Sequence, residues 1–303
     1  MKPWLRLLIA VVVLAAVVGV LYWPKKTPPA APPAPPLVKL NSGDVRGVTI
    51  SQPNTPTVVL TKSGDNWALT QPYAYAADSA AVSSMLDSLG NITGAQAVGD
   101  AGNLAAFGLD HPSSVQLTMA DGKTEQFDFG SDTPTGGNTY LRVNNAGPVE
   151  MASSDAKSSA IKSAFLLQDK TVLHFPSDKV TALDVASAGK SQHFDKGKDG
   201  WPKDRASDIE SLVDALSDGQ MTAMPDPTGK AAAADGLAKP TATLTLTWTG
   251  GTGKLEIGAK KGAAEYYARN SSGPAIFTLS DYLVTDITGL TTPAKPAATT
   301  PAH

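Results

Sequence analysis

Between residues 41 and 290 one ordered series of residues occurs twice, so this chain has to be built from two like units in tandem. Phe107-Gly108-Leu109-Asp110-His111-Pro112 in the first run is answered by Asp235-Gly236-Leu237-Ala238-Lys239-Pro240 in the second. The shared part is Gly-Leu-x-x-Pro. Twenty-two residues beyond the first glycine of each stands another, Gly130 and Gly258. Tyr140-Leu141-Arg142 and Tyr267-Ala268-Arg269 follow, then Gly147-Pro148 and Gly273-Pro274. Upstream, Gly64-Asp65-Asn66-Trp67 and Lys198-Asp199-Gly200-Trp201 each end a short turn on tryptophan. Any one match is weak, but their common order is not.

Each run yields the same succession of elements. An opening hairpin is expected over Val45–Ile50, Val58–Leu60 and Trp67–Leu69, and over Val180–Val185, His193–Phe194 and Trp201 in the second run. A helix follows. Asp78 is placed to cap one whose apolar face is Val82, Met85, Leu86 and Leu89. In the second run Ser207-x-x-Glu210 reads as a capping box before Ile209, Leu212, Val213 and Leu216, with Gly219 as a stop. Val115, Leu117 and Met119 then alternate with polar residues, Asp121-Gly122 turns the chain, and Phe127 and Phe129 return. Their counterparts are Leu244, Leu246 and Trp248, a Gly250-Gly251 turn, and Leu255 and Ile257. A strand at Tyr140–Val143 or Tyr266–Arg269, a last strand, and a closing helix near Ser154 or Ser280 complete each run. Alternation with one polar side implies an antiparallel sheet covered by helices on the other side. The expected fold class is therefore α+β, in two tandem repeats at 41–174 and 175–290.

Ahead of the repeats lies a different kind of sequence. Leu7 to Trp23 carries no charge and, as a helix, is about 26 Å long, close to a bilayer core. Trp4 and Tyr22-Trp23 stand where interfacial aromatics anchor a span, and Tyr22-Trp23-Pro24-Lys25-Lys26 offers no small-residue cleavage site. Residues 1–26 are thus expected to be an uncleaved transmembrane anchor, in contact with the membrane over residues 5–23. The alternative is a cleaved signal peptide. Residues 27–40 are a proline-rich linker, stiff because proline locks φ. The tail 291–303 repeats that composition and is expected to be disordered.

Charge narrows the partners. Residues 1–40 hold five basic residues and no acid, which leaves 20 basic and 28 acidic residues, a balance of −8, for the remainder. An acidic body argues against nucleic acid. With no cysteine there is no disulfide, thiolate metal site or cysteine nucleophile. Gly-x-Ser-x-Gly, His-Glu-x-x-His and the phosphate loop are all missing. Asp195, Asp199 and Asp204 lack the spacing of a calcium loop and read as a solvated turn. Asp128 and Asp132 flank Gly130 like a carboxylate pair, but only Asp128 has an acidic counterpart, Glu256, so both are expected at the surface. His111 reads as a surface histidine, and His174 and His193 have no acidic partner at ligand spacing. No catalytic residue, cofactor or metal is assigned.

Trp67 and Trp201 recur and are expected to pack on their sheets. Tyr140 and Arg142, with Tyr267 and Arg269, fit either a recurring ion pair or an exposed contact strip. Tyr73 and Tyr75 occur in the first run only, on one side of an extended segment after Pro72. Tyr73, Tyr75, Tyr140 and Arg142 are therefore the candidate partner-contact residues.

Several of these motifs together resemble the family named domain of unknown function 4340. They are the amino-terminal helix, Phe107-Gly108-Leu109-Asp110-His111-Pro112, Gly130 through Thr133-Pro134-Thr135-Gly136-Gly137, Tyr140-x-Arg142, and Gln168-Asp169-Lys170-Thr171-Val172-Leu173. The first run matches more fully; the second lacks the Thr-Pro-Thr-Gly-Gly stretch. The resemblance implies a membrane-anchored bacterial protein, often encoded beside export-type transporter components, and carries no established activity. The expectation is a single-pass protein of the bacterial inner membrane with its bulk outside the cytoplasm, in the periplasm. It would be a binding or scaffold module with a protein partner in the cell envelope, accessory to an export-type transporter complex. The alternative is an envelope polysaccharide enzyme or sensor with a site between the repeats, drawing on Asp128 or Asp132 with Asp204.

Overall fold

The structure, a computed structural model, describes residues 35–94, 97–99 and 101–293. The expected membrane anchor, the linker up to residue 34 and the tail from residue 294 lie outside the described residues. Among the described residues no helix is long and apolar enough to cross a membrane.

The fold is α+β with two antiparallel sheets. The first is made by β1 (Val45–Gln52), β2 (Thr55–Ser63), β3 (Asn66–Gln71), β4 (Tyr75–Ala76), β5 (Ala97–Gly99), β6 (Ser113–Met119), β7 (Thr124–Asp132), β8 (Asn138–Val143) and β9 (Ala146–Ser153). Its strand order is β4-β3-β2-β1-β6-β7-β8-β9-β5. The second contains β10 (Val180–Ser187), β11 (Lys190–Asp195), β12 (Ala223–Asp226), β13 (Ala242–Trp248), β14 (Gly251–Lys261), β15 (Glu265–Asn270) and β16 (Ile276–Ser280), in the order β11-β10-β13-β14-β15-β16-β12. Without β3 and β4 the two orders are the same, element for element. Helices α1 (Ser79–Gly90), α2 (Ser154–Ala160) and α3 (Ala164–Leu167) belong to the first copy, and α4 (Ala206–Ser217) and α5 (Asp281–Gly289) to the second.

Periodicity explains the layers. In β1, Val45, Val48 and Ile50 are buried while Arg46 and Thr49 point away, and α1 buries Val82, Met85, Leu86 and Leu89 in the same core. In the second copy Leu183, Val185, Leu244 and Leu246 meet Ile209, Leu212 and Leu216 of α4. Each such side chain contributes about 1.5–3 kcal/mol on burial. Asp78 caps α1 as expected, accepting from the amides of Ala80 and Ala81 at 2.9 and 3.0 Å.

Three local expectations need correction. The Ser207–Glu210 capping box does not form, because α4 already begins at Ala206. Its N-cap is Arg205, whose side chain instead reaches Asp208 at 3.1 Å and the carbonyl of Thr292. No strand forms at Trp201: Gly197 and Gly200 close a tight turn by exchanging amide–carbonyl bonds, and Trp201 is buried beyond it. The body is also wider than 41–290. Pro36 bridges Thr93, Leu37 donates to the carbonyl of Ile92, and Thr291 and Thr292 bond back to the last turn of α5.

The repeated Gly-Leu-x-x-Pro has a backbone cause. Gly108 and Gly236 take φ of +65° and +76°, a region costly for side-chain-bearing residues. That turn brings the preceding carbonyl, of Phe107 or Asp235, onto Gly130 or Gly258, where a Cβ would collide with it. Leu109 and Leu237 plug the space beside the glycine and are buried.

Residues 167–172 join the copies as a ladder. On one side Asp78 donates to Leu167 and Asp169 donates to Ala76, each at 2.9 Å. On the other, Val172 donates to Gly219 at 3.0 Å and Met221 to Lys170 at 2.8 Å. Gln168 is fully buried between them.

Candidate functional site

A cleft of about 320 Å³ opens where both copies and the connector meet. Ala74 and Tyr75 come from the first copy, Asp169 to His174 from the connector, and Pro227 and the loop 270–275 from the second copy. Asn270 shapes the wall, donating to the carbonyl of Val172 at 2.8 Å and accepting from the amide of Ser272 at 3.0 Å.

Three titratable groups line the cleft. Tyr75 is half-buried and packs against the cores of both copies. Burial first, and then the negative charge of Asp169, push its phenol above the ordinary range. For Asp169 burial acts in the opposite sense to its partners, and the partners win. The Thr171 amide at 2.9 Å and the His174 imidazole at 2.7 Å hold its carboxyl below the usual carboxylate range. His174 itself is 64% exposed at the mouth.

The four sequence-derived contact residues fall at two places. Tyr73 donates to Gln168 Oε1 at 2.6 Å, and Gln168 Nε2 reaches the sulfur of Met221 at 3.2 Å, so Tyr73 ties the copies together beneath the cleft. Tyr75 lines the cleft itself. Tyr140 and Arg142 are on β8. The Tyr140 ring meets Phe107 edge-on, with centroids 4.9 Å apart. Arg142 stands in register with Asp128 on β7.

The recurring ion pair is complete in one copy only. Arg269 bonds Glu256 through Nε at 3.1 Å and Nη2 at 2.5 Å, and Lys254, with Arg269 after it, holds that carboxyl below its usual range. Asp128 is one methylene shorter than Glu256. Its carboxylate is taken by Ser114 at 2.5 Å and Gln126 at 2.8 Å, and Arg142 Nε is buried without a partner among the described residues.

Other expectations change as well. Asp128 is buried rather than at the surface, because Gln126 and Ser114 flank it on the sheet. Asp132 pairs with Lys157 of α2 at 3.5 Å. None of Asp128, Asp132 and Asp204 lines the cleft, so the carboxylate there is Asp169. His174 and His193 do have acidic partners. Strand register sets Asp184 across from His193, at 2.6 Å, with Asp195 at 3.1 Å. His111 is exposed. Trp67 and Trp201 are buried, each under a lysine five residues earlier, Lys62 and Lys196, at 5.8 Å. Among the described residues no group of three or more His, Asp or Glu is placed to hold a metal ion.

Sequence reasoning missed Asp169 and His174 as site residues. The available signal was that Gln168–Leu173 is a motif present once in a chain where most motifs occur twice.

The fold and the site define a duplicated α+β protein whose cleft is shared between its copies. The family described as a domain of unknown function (DUF4340) matches residues 67–208 and again 201–293, and the chain belongs to that family as a two-repeat member. Both matches begin on a recurring tryptophan, Trp67 and Trp201. No curated protein and no solved structure matches the chain.

Proposed function

We propose that this chain is a membrane-anchored, extracytoplasmic binding module of the bacterial envelope, accessory to an export-type transporter complex, and that it receives a segment of its partner in the cleft between the two copies. The observation that carries this reading is that the cleft is assembled from both copies and the connector, with its phenol, carboxylate and imidazole drawn from the first copy and the connector. The uncharged run Leu7–Trp23 and its basic flanks support the anchor, and the proline-rich composition of residues 27–40 supports a stiff linker after it. The test is p-benzoylphenylalanine placed at Ala74 in the cleft and, as a control, at exposed Thr118 on β6, with irradiation of living cells and mass spectrometry of the adducts. Adducts to one membrane component from position 74 and not from 118 are expected. Equal labelling from both positions, or none from either, defeats the reading.

The alternative reading, an envelope enzyme with its site between the copies, draws on the same cleft, where Asp169 and His174 form a carboxylate–imidazole pair. It predicts a hydrolytic activity on envelope polysaccharide that His174→Ala abolishes while cleft crosslinks persist.

A further inference from the structure

We infer that the cleft takes a cationic side chain, a lysine or arginine carried on an extended segment of a partner polypeptide, with Asp169 as its counter-ion and the Tyr75 ring as its wall. This rests on the reading of the cleft as a binding site and names the chemistry of what binds. Among the residues lining the cleft there is one carboxylate and neither lysine nor arginine. That carboxylate is kept ionised by its neighbours: Oδ1 accepts from the Thr171 amide, Oδ2 from His174, and the Thr171 hydroxyl bonds the same group. Two carboxylate oxygens offer about four lone-pair sites, so one is left for an ammonium or one arm of a guanidinium. The side chain is 23% exposed, which leaves it reachable but partly shielded from water.

The surroundings suit the same ligand. Ala74, Pro227, Pro274 and Ala275 supply apolar walls that fit the methylene stem of lysine or arginine. A partly dry site strengthens a charge-assisted bond. Tyr75 offers an aromatic ring, and a cation near an aromatic face gains further. The cleft's volume of about 320 Å³ admits a long side chain with its stretch of backbone rather than a folded domain. The acidic body, 20 basic against 28 acidic residues beyond residue 40, steers a cationic segment towards it.

The test uses the full-length protein in detergent micelles and four blocked tripeptides, acetyl-Ala-X-Ala-amide, with X lysine, arginine, norleucine or glutamate, followed by calorimetric titration. Saturable binding of the lysine and arginine peptides is expected, with none for norleucine or glutamate. This comparison needs no variant. Asp169→Asn, which keeps the shape of the side chain, is expected to weaken the cationic peptides by about tenfold or more. Equal binding of the norleucine or glutamate peptide overturns the assignment. So does an absence of saturable binding by both cationic peptides, or an unchanged affinity in folded Asp169→Asn protein. Cleft crosslinks in cells without cationic-peptide binding leave the binding-module reading standing and remove this one. Cationic-peptide binding without cellular adducts does the reverse.

Discussion

In the first copy the sheet continues outward from β2 through β3 and β4 and merges with the connector, whereas in the second it stops at β11 and residues 196–205 turn away. The other edges are alike, each closed by a short strand that follows the helix, β5 or β12. One copy thus spends its outer edge on holding its twin. The other keeps a six-residue edge strand carrying Lys190, His193 and Asp195, charges that discourage indiscriminate strand pairing. The glycine crossing of Phe107 over Gly130 is repeated as Asp235 over Gly258. The ion pair binding β7 or its counterpart β14 to the closing helix is also repeated, but with its sign reversed. Asp132 meets Lys157 at 3.5 Å in the first copy, and Lys260 meets Asp281 at 3.2 Å in the second. A backbone collision admits one answer, while an exposed ion pair admits two.

That contrast can be broken experimentally. The largest effect is expected at the glycine crossing. Gly130→Ala and Gly258→Ala should each cost about 2 kcal/mol, since the added methyl meets a carbonyl oxygen that only a backbone shift can relieve. Denaturant unfolding of the full chain measures both, and losses differing by more than about 1 kcal/mol would end the claim that the crossing is equivalent in the two copies.

The charge pair should matter less. Asp132→Lys alone is expected to cost up to about 1 kcal/mol, and adding Lys157→Asp to recover only part of it, because the charge pair returns while the 2.7 Å bond from Lys157 to the carbonyl of Gly130 is lost. A double variant as unstable as the sum of the singles would show that polarity is fixed by something besides the pair.

The smallest effect belongs to His193, which has no titratable counterpart because Val59 occupies the matching place in β2. Hydrogen bonds to Asp184 first and Asp195 second raise its pKa above the ordinary histidine value. A raised histidine pKa stabilises the folded state fully below the unfolded value, and that contribution is lost as pH rises through the folded value. His193→Gln should therefore lower the melting temperature at about pH 5.5 and leave it unchanged at about pH 8.5. Equal effects at both pH values would remove the ionic role of this residue.

Much of the fold was legible because burial on one side leaves a period. Val45, Val48 and Ile50, or Val82, Met85, Leu86 and Leu89, declare their faces without any knowledge of partners. Strands β5 and β12 were not legible. Ala97-Val98-Gly99 and Ala223-Met224-Pro225-Asp226 are too short to alternate, and they exist because β9 and β16 offer an edge to pair with. The pairing of β1 with β6, and so the strand order, is likewise a long-range fact that no local pattern encodes. The cleft was least legible. Tyr75 could be picked out as an aromatic outside the repeat, but Asp169 meets it only through a connector whose bonds go to both copies. The ion pair at Asp128 failed by a single methylene, a distance that sequence spacing does not contain.

The position of β1 has a mechanical consequence. It lies in the interior of its sheet, bonded along its length to β2 on one side and β6 on the other, both antiparallel. A pull applied through the residues before it first meets the clip of Pro36 and Leu37 on Ile92 and Thr93. It then loads β1 lengthwise, so that two rows of main-chain bonds must yield together in shear rather than open one at a time like a zip. A strand at the sheet margin would peel. The order β2-β1-β6 therefore makes the start of this body resist tension as a peeling margin would not.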